Sequence, residues 1–479
     1  MRDTKLYKVL SSFSAIQLNR LHKYVLSPYF NVNDHLTVGF EIIKEAIKED
    51  KNLEVKEIWD EIFKGIPYSD IKWRKFLSDI VSLIEGFLIQ ESLSKEELLK
   101  YNMLLQAIRR EKLEELQKKT VTNANREMDR RLEQSGDFFY QKYLILKNQY
   151  NLTSQFERKR VKLRKKQAPA SEQLLEVSKQ LDIFYLLEKM RHGTDLLTWR
   201  KMYKADIDLS QFEFTSKLIE KSQYLDIPAI KMYYNIYKAF VEPDEPKYYF
   251  DLKELFIAEM DQFPLDEQQE IFDSLVSYCI GSINSGNKDF IPEALEMYQK
   301  GIDTGLSLVD GELSPTTFRN IVGLALRYQY LNFAKEFIQE KASLVNKKFR
   351  NNAVNYNLAR VHFYKKEFNE VLDYSNQVNF EDVWYNINTK ALLLATYYEL
   401  DEDNALESLL TSYNAYIRRE KSLEEKRRMP YLNFIKSIRK MIKINPFDKE
   451  KIKALKKEIE STKAINKAWL LEKINEIQK

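Results

Sequence analysis

Apolar residues recur along this chain at steps of three and four, seldom in strict alternation. Such spacing lines up one face of an α-helix rather than one face of a strand. Between Ser14 and Leu26 the stripe is Ile16, Leu18, Leu21 and Val25, and Ser27-Pro28 ends it because proline disfavours a helical residue before it. Asn33 and Asp34 are good caps for a second helix. After Pro67 the stripe broadens, and Trp73, Phe76, Leu77, Ile80, Ile84, Phe87 and Leu88 predict a long helix buried along one side. Ser94 with Glu97, and Ser210 with Glu213, read as capping boxes that open further helices. The first of these would carry Tyr101, Leu105, Ile108, Leu113 and Leu116. Asp137 opens a segment with Phe139, Tyr143, Leu146 and Tyr150 on one face. Pro228 and Pro315 suit first-turn positions.

The chain also matches itself at a spacing of 34 residues, with Leu358 on Leu392, His362 on Thr396, Val371 on Ala405 and Ser375 on Leu409. A fixed period of that length points to antiparallel helix pairs, each stacking on the next because one pair cannot bury its apolar face alone. These units resemble tetratricopeptide repeats. Leu358, Ala359 and Val371 fill the family's apolar places, as do Leu392, Leu393 and Ala405 in the next unit. Upstream, Ala294, Tyr298 and Gly301 fit the second-helix pattern, and Leu324, Ala325 and Tyr328 the first-helix pattern. The family's mid-unit glycine is replaced by residues near Glu367 and Asp401, and the closing proline is missing.

The resemblance implies an all-α fold: a right-handed α-solenoid of helix hairpins behind an N-terminal helical head. The expected divisions are a helical domain over 1–167, repeats over 171–445 and capping helices over 446–479. In the capping segment Ile452, Leu455, Ile459, Trp469, Leu470 and Ile474 form the apolar stripe. In such a solenoid the first helices line a concave groove. The implied binding positions are Tyr356, Arg360, Phe363 and Tyr364 in one unit and Lys390, Leu394, Tyr397 and Tyr398 in the next. Rings beside a cation can grip a peptide through apolar area and cation–π contact. The family's Lys/Arg–Asn clamp for a terminal carboxylate is not reproduced.

Composition agrees with helix: glycine and proline number only 11 each in 479 residues. Lys+Arg is 76 against Asp+Glu 72, a near balance that calls for neither nucleic acid nor an anionic membrane. A single cysteine, Cys279, excludes an intrachain disulfide, and its apolar neighbours Leu275, Val276 and Ile280 predict a buried inert thiol. The N-terminus lacks a signal-peptide core, and no stretch suggests a membrane span, so a cytoplasmic protein is expected. His22, His35, His192 and His362 stand far apart, with no metal-binding spacing. No Gly-rich phosphate loop or nucleophile elbow occurs. The sequence therefore predicts a non-enzymatic scaffold or adaptor that binds a peptide or protein partner in its groove, without metal or cofactor. The alternative is a nucleic-acid-associated regulator using the basic run 158–166, with Arg158, Lys162, Arg164 and Lys165 as contacts and the repeats as the sensing domain.

Overall fold

Helix takes 79% of the chain, in 23 α-helices among the described residues. The computed structural model describes residues 2–51, 54–161, 169–203, 205–379 and 382–477. The basic positions Lys162, Arg164 and Lys165, and the side chain of Arg158, lie outside them. By internal contact the chain divides into two units. The first is Met1–Lys231 with Asp261–Phe263, and the second is Met232–Met260 with Pro264–Lys479.

The first unit contains α1 (Lys5–Ser11), α2 (Ala15–Val25), α3 (Asp34–Lys48), α4 (Val55–Ile62) and α5 (Asp70–Lys95). After these come α6 (Glu97–Glu111), α7 (Glu114–Arg130), α8 (Gly136–Val161), α9 (Pro169–Tyr203) and α10 (Ser210–Glu220). The predicted starts hold where a side chain is free to cap. Ser14 accepts from Gln17 N at 3.3 Å while Gln17 reaches back to it, and Asn33 accepts from His35 N at 3.1 Å. Two predicted capping boxes do not form. The Ser94 hydroxyl donates back to the Glu91 carbonyl at 2.7 Å, so α5 continues to Lys95 and α6 starts later. At α10 the Asp208 carboxylate, not Ser210, takes the orphan amide, accepting from Ser210 N at 2.9 Å. The helix expected to run past Leu113 is broken at Lys112, whose φ of 58° ends α6.

The first core gathers α1 to α5 around Trp59, Phe40, Trp73, Phe76 and Phe87, all buried. Trp59 satisfies its indole N–H on the Ile66 carbonyl at 2.8 Å. Gly39 is required here: a Cβ would lie 2.2 Å from the Phe76 ring.

α11 (Pro228–Val241) carries the division point, with Pro228 in its first turn as expected. The second unit holds α12 (Lys247–Glu259), α13 (Leu265–Asn284), α14 (Phe290–Asp303), α15 (Pro315–Arg327), α16 (Leu331–Lys341) and α17 (Lys347–Tyr364). It continues with α18 (Phe368–Asn376), α19 (Val383–Glu399), α20 (Asp403–Arg419), α21 (Glu425–Lys443), α22 (Lys449–Ser461) and α23 (Lys467–Ile477). A two-stranded hairpin, β1 (Leu308–Val309) and β2 (Glu312–Leu313), turns through Asp310 and Gly311. Both turn residues have positive φ, 52° and 78°, as a tight hairpin of matching twist requires.

Neighbours in sequence are neighbours in space. Each helix from α12 to α22 packs on the next, and α15 also packs on α17, and α17 on α19. Three of the turns share one geometry. Gln329, Lys366 and Asp401 adopt φ of 66°, 60° and 54°. The following amide bonds five residues back in each: Tyr330 N to Ala325 O at 2.8 Å, Glu367 N to His362 O at 3.0 Å, and Glu402 N to Tyr397 O at 3.0 Å. This is the Schellman cap, built here without the glycine that usually serves it. The last helices bury the predicted stripe: Ile452, Leu455, Ile459, Trp469, Leu470 and Ile474 join one core with α19, α20 and α21.

Candidate functional site

In the second unit a channel of about 930 Å³ is lined by residues from α13, α14, α15, α17, α18, α19, α23 and the segment leading into α23. Local sequence sets which faces it receives. α15 opens on Ser314, whose hydroxyl accepts from Thr317 N at 3.0 Å. Its buried face is Phe318, Ile321, Val322 and Ala325, which turns Arg319, Gly323 and Arg327 to the channel at four-residue steps. α17 presents Tyr356, Arg360, Phe363 and Tyr364. α19, capped by Asp382 onto Tyr385 N at 3.0 Å, presents Trp384, Asn388, Ala391 and Leu392.

Arginines and aromatic rings meet at one place. The Arg319 guanidinium lies 3.8 Å from the centre of the Trp384 ring. Tyr356, buried, meets Trp384 edge-on at 5.3 Å and Tyr385 at 5.7 Å. Arg360 sits 5.6 Å over the Tyr356 ring and donates to Asn357 Oδ1 at 2.9 Å and to the Arg319 carbonyl at 3.4 Å. Gly323 makes room for it, since a Cβ there would fall 2.8 Å from Arg360 Nη2. Burial pushes the Arg319 guanidinium below its usual value and the Tyr356 hydroxyl above its own. At the far end Glu399 is already engaged, accepting from Trp469 Nε1 at 2.6 Å and from Lys473 Nζ at 2.8 Å.

Of the residues expected to bind, Tyr356, Arg360, Phe363 and Tyr364 line this channel together. The four expected from the next unit are absent from its lining. Lys390 stands 4.5 Å over the Tyr416 ring, and Leu394 is fully buried in the core. Tyr397 packs against that core, and Tyr398 meets Trp469 edge-on at 5.4 Å. A period of 34 maps Tyr356 and Arg360 onto Lys390 and Leu394, but the channel residues of α19 are Asn388 and Leu392, two positions earlier. Two residues turn a helix by about 200°, which carries a groove position round to the core. Arg319 and Trp384 escaped the sequence reading because they lie 65 positions apart; the four-residue spacing of Arg319, Gly323 and Arg327 was the available signal.

A second concavity of about 870 Å³ lies among α20, α21 and α22, rimmed by Arg418, Lys436, Arg439, Lys440, Lys443 and Lys451. Glu458 holds Lys436 at 2.9 Å and Lys440 at 2.5 Å. Arg428, at the start of α21, donates to the Glu420 and Leu423 carbonyls at 2.7 and 2.8 Å.

Cys279 is fully buried, and burial pushes its thiol up to about 12. His22 contacts Glu41 at 3.0 Å, His35 the Ile62 carbonyl at 3.0 Å, and His362 Glu367 at 2.6 Å. Among the described residues no group of three His, Cys, Asp or Glu side chains is placed to hold a metal ion, and no helix is long and apolar enough to cross a membrane.

No family model, no curated protein and no solved structure matches this chain.

Proposed function

We propose that the second unit is a right-handed solenoid of helix hairpins whose concave side is the channel, and that the channel holds an extended segment of a partner protein. The supporting observation is the lining itself: successive first helices α13, α15, α17 and α19 each contribute side chains to one continuous trough. The stepwise packing of helix on helix and the repeated Schellman turns at Gln329, Lys366 and Asp401 favour the same arrangement. Half-exposed rings such as Tyr364, 40% exposed and set beside Arg360, suit a surface that gains apolar contact when covered. The protein in this reading is an adaptor without catalysis of its own.

Peptides selected from a displayed random library on the intact chain test it. Tyr364→Asp combined with Trp384→Ala should weaken a channel-bound peptide by roughly tenfold or more, because aromatic anchors dominate such contacts. Phe447→Asp, at a site 91% exposed and away from the channel lining, should leave binding unchanged. Equal binding by all three chains removes the assignment.

A further inference from the structure

Of the channel's cations, two are half-buried and have no ion pair among the described residues, Arg319 and Arg360, whereas Arg327 is exposed to water. Among the described residues no ion pair joins Arg319 to a carboxylate, and the charged or ionisable groups that act most on it are Tyr356, Tyr385, Tyr431 and the like-charged Arg360. Among the described residues the hydrogen-bond acceptors of Arg360 are the Asn357 amide oxygen and the Arg319 carbonyl. Both side chains are half-buried. Taking a guanidinium partly out of water is costly without an anion beside it, and two together repel. Elsewhere in the same channel the protein does supply counterions: Glu399 has Lys473 at 2.8 Å, and Glu472 has Lys366 at 3.7 Å. Among the described residues the half-buried positive charge without a counterion is therefore gathered at Arg319, against the Trp384 ring, and its neighbour Arg360.

Resting on the reading of the channel as a docking trough, we propose that Arg319 and Arg360 are the seat of an acidic side chain carried by the partner's bound segment. A carboxylate between them answers both desolvated cations and quenches their repulsion. Trp384 covers one face of the Arg319 guanidinium and leaves its edges as the donors, the geometry that matches a carboxylate's two oxygens. Asn357 and Gly323 are positioning residues. Asn357 donates to the Ala353 carbonyl at 2.7 Å, which aims its oxygen at Arg360, while Gly323 leaves the space that Arg360 occupies. A polypeptide suits the rest of the trough better than a free small anion. At about 930 Å³ the space far exceeds one carboxylate, and Phe363, Tyr364 and Asn320 offer rings and an amide to the flanking residues.

The probe is a capped, fluorescein-labelled oligo-glutamate peptide of about ten residues, titrated into the intact chain by fluorescence anisotropy at low salt. It should bind, and Arg319→Gln with Arg360→Gln should weaken it roughly tenfold or more, since each site loses a charged hydrogen-bond donor. Arg319→Lys, which keeps the charge but loses the planar fork and the stack, should weaken it roughly threefold or more. Lys436→Gln with Lys440→Gln, in the other concavity, should change it by less than about twofold. Failure of the parent chain to bind the peptide overturns the proposal. So does parent-like binding by the arginine variants, or an equal loss in the lysine control. A length-matched oligo-uridylate that competes with the peptide and loses affinity in the same arginine variants would replace the acidic side chain with a phosphate and also overturn it. Library-selected peptides separate the two levels. If they are weakened by Tyr364→Asp but not by the arginine changes, the trough stands and the acidic seat falls; insensitivity to both removes the trough as well.

Discussion

At the scale of single residues, the tightest constraints lie where a side chain has no room or no water. Gly39 is one. Alanine there would drive a methyl into Phe76, with Ile62 also within 2.7 Å, at the centre of the first core. Gly39→Ala should lower stability by about 1–3 kcal/mol, read as a shift in the urea midpoint without a change in slope. Cys279 is another. Its thiol is buried and held protonated, so a maleimide should not label the native chain on the timescale that labels it in urea. Rapid native labelling would mean that the packing around Cys279 and the buried Tyr249 hydrogen-bonded to it opens readily. The sequence announced this cysteine through its apolar neighbours Leu275, Val276 and Ile280. It did not announce Arg319, because nothing in a local stretch tells a guanidinium bathed in water from one stacked under a tryptophan four helices further along the chain.

At the scale of helices and turns, local signals were legible where only one backbone group competed for the side chain. Asn33 caps as its position suggests, and Ser14 and Ser314 cap the helices whose starts the apolar stripe and Pro315 mark. Ser94 and Ser210 carry the same pattern and do not cap, because a serine hydroxyl can equally bond within a continuing helix and a nearby aspartate can take the amide instead. The turns teach a related lesson. Missing glycines near Glu367 and Asp401 mark no missing turn; Lys366 and Asp401 take up the left-handed conformation themselves. That conformation costs a non-glycine residue about 1 kcal/mol or more. Gln329→Gly should therefore raise the stability of the chain by about 0.5–1 kcal/mol, measured by denaturant or thermal unfolding. Destabilisation instead would show that the Gln329 side chain makes a contact worth more than the strain.

At the scale of the whole second unit, its C-terminal helix is fastened by charge as well as by grease. Lys473, 5% exposed, bonds Glu399 on α19 and Glu476 on its own helix, both at 2.8 Å. Burial pushes the Lys473 ammonium down, but these two carboxylates outweigh it and hold its pKa above the ordinary 10.5. A raised value means the folded state keeps the proton longer than the unfolded chain. The contribution is thus complete below pH 10.5 and is lost as pH rises through the folded value. Burial of Tyr398 and Tyr413 raises their values and acts in the same direction. The unit should therefore lose stability steeply above about pH 10.5, and Lys473→Met with Glu399→Leu should flatten that loss in an unfolding series run against pH. The all-helical class and the terminal apolar stripe were readable from spacing alone. The channel was only half readable, since a 34-residue period counts chain positions while a groove is set by helix rotation, and the two disagree by two residues at α19.

The central claim is that a partner's segment lies in the trough lined by α13, α15, α17 and α19. Hydrogen exchange of the intact chain, with and without a saturating library-selected peptide, measures it most directly. The account predicts added protection over 315–327, 347–364 and 383–399, with the backbone of 5–95 unchanged. Protection confined to 5–95, with those three helices exchanging as before, would contradict it.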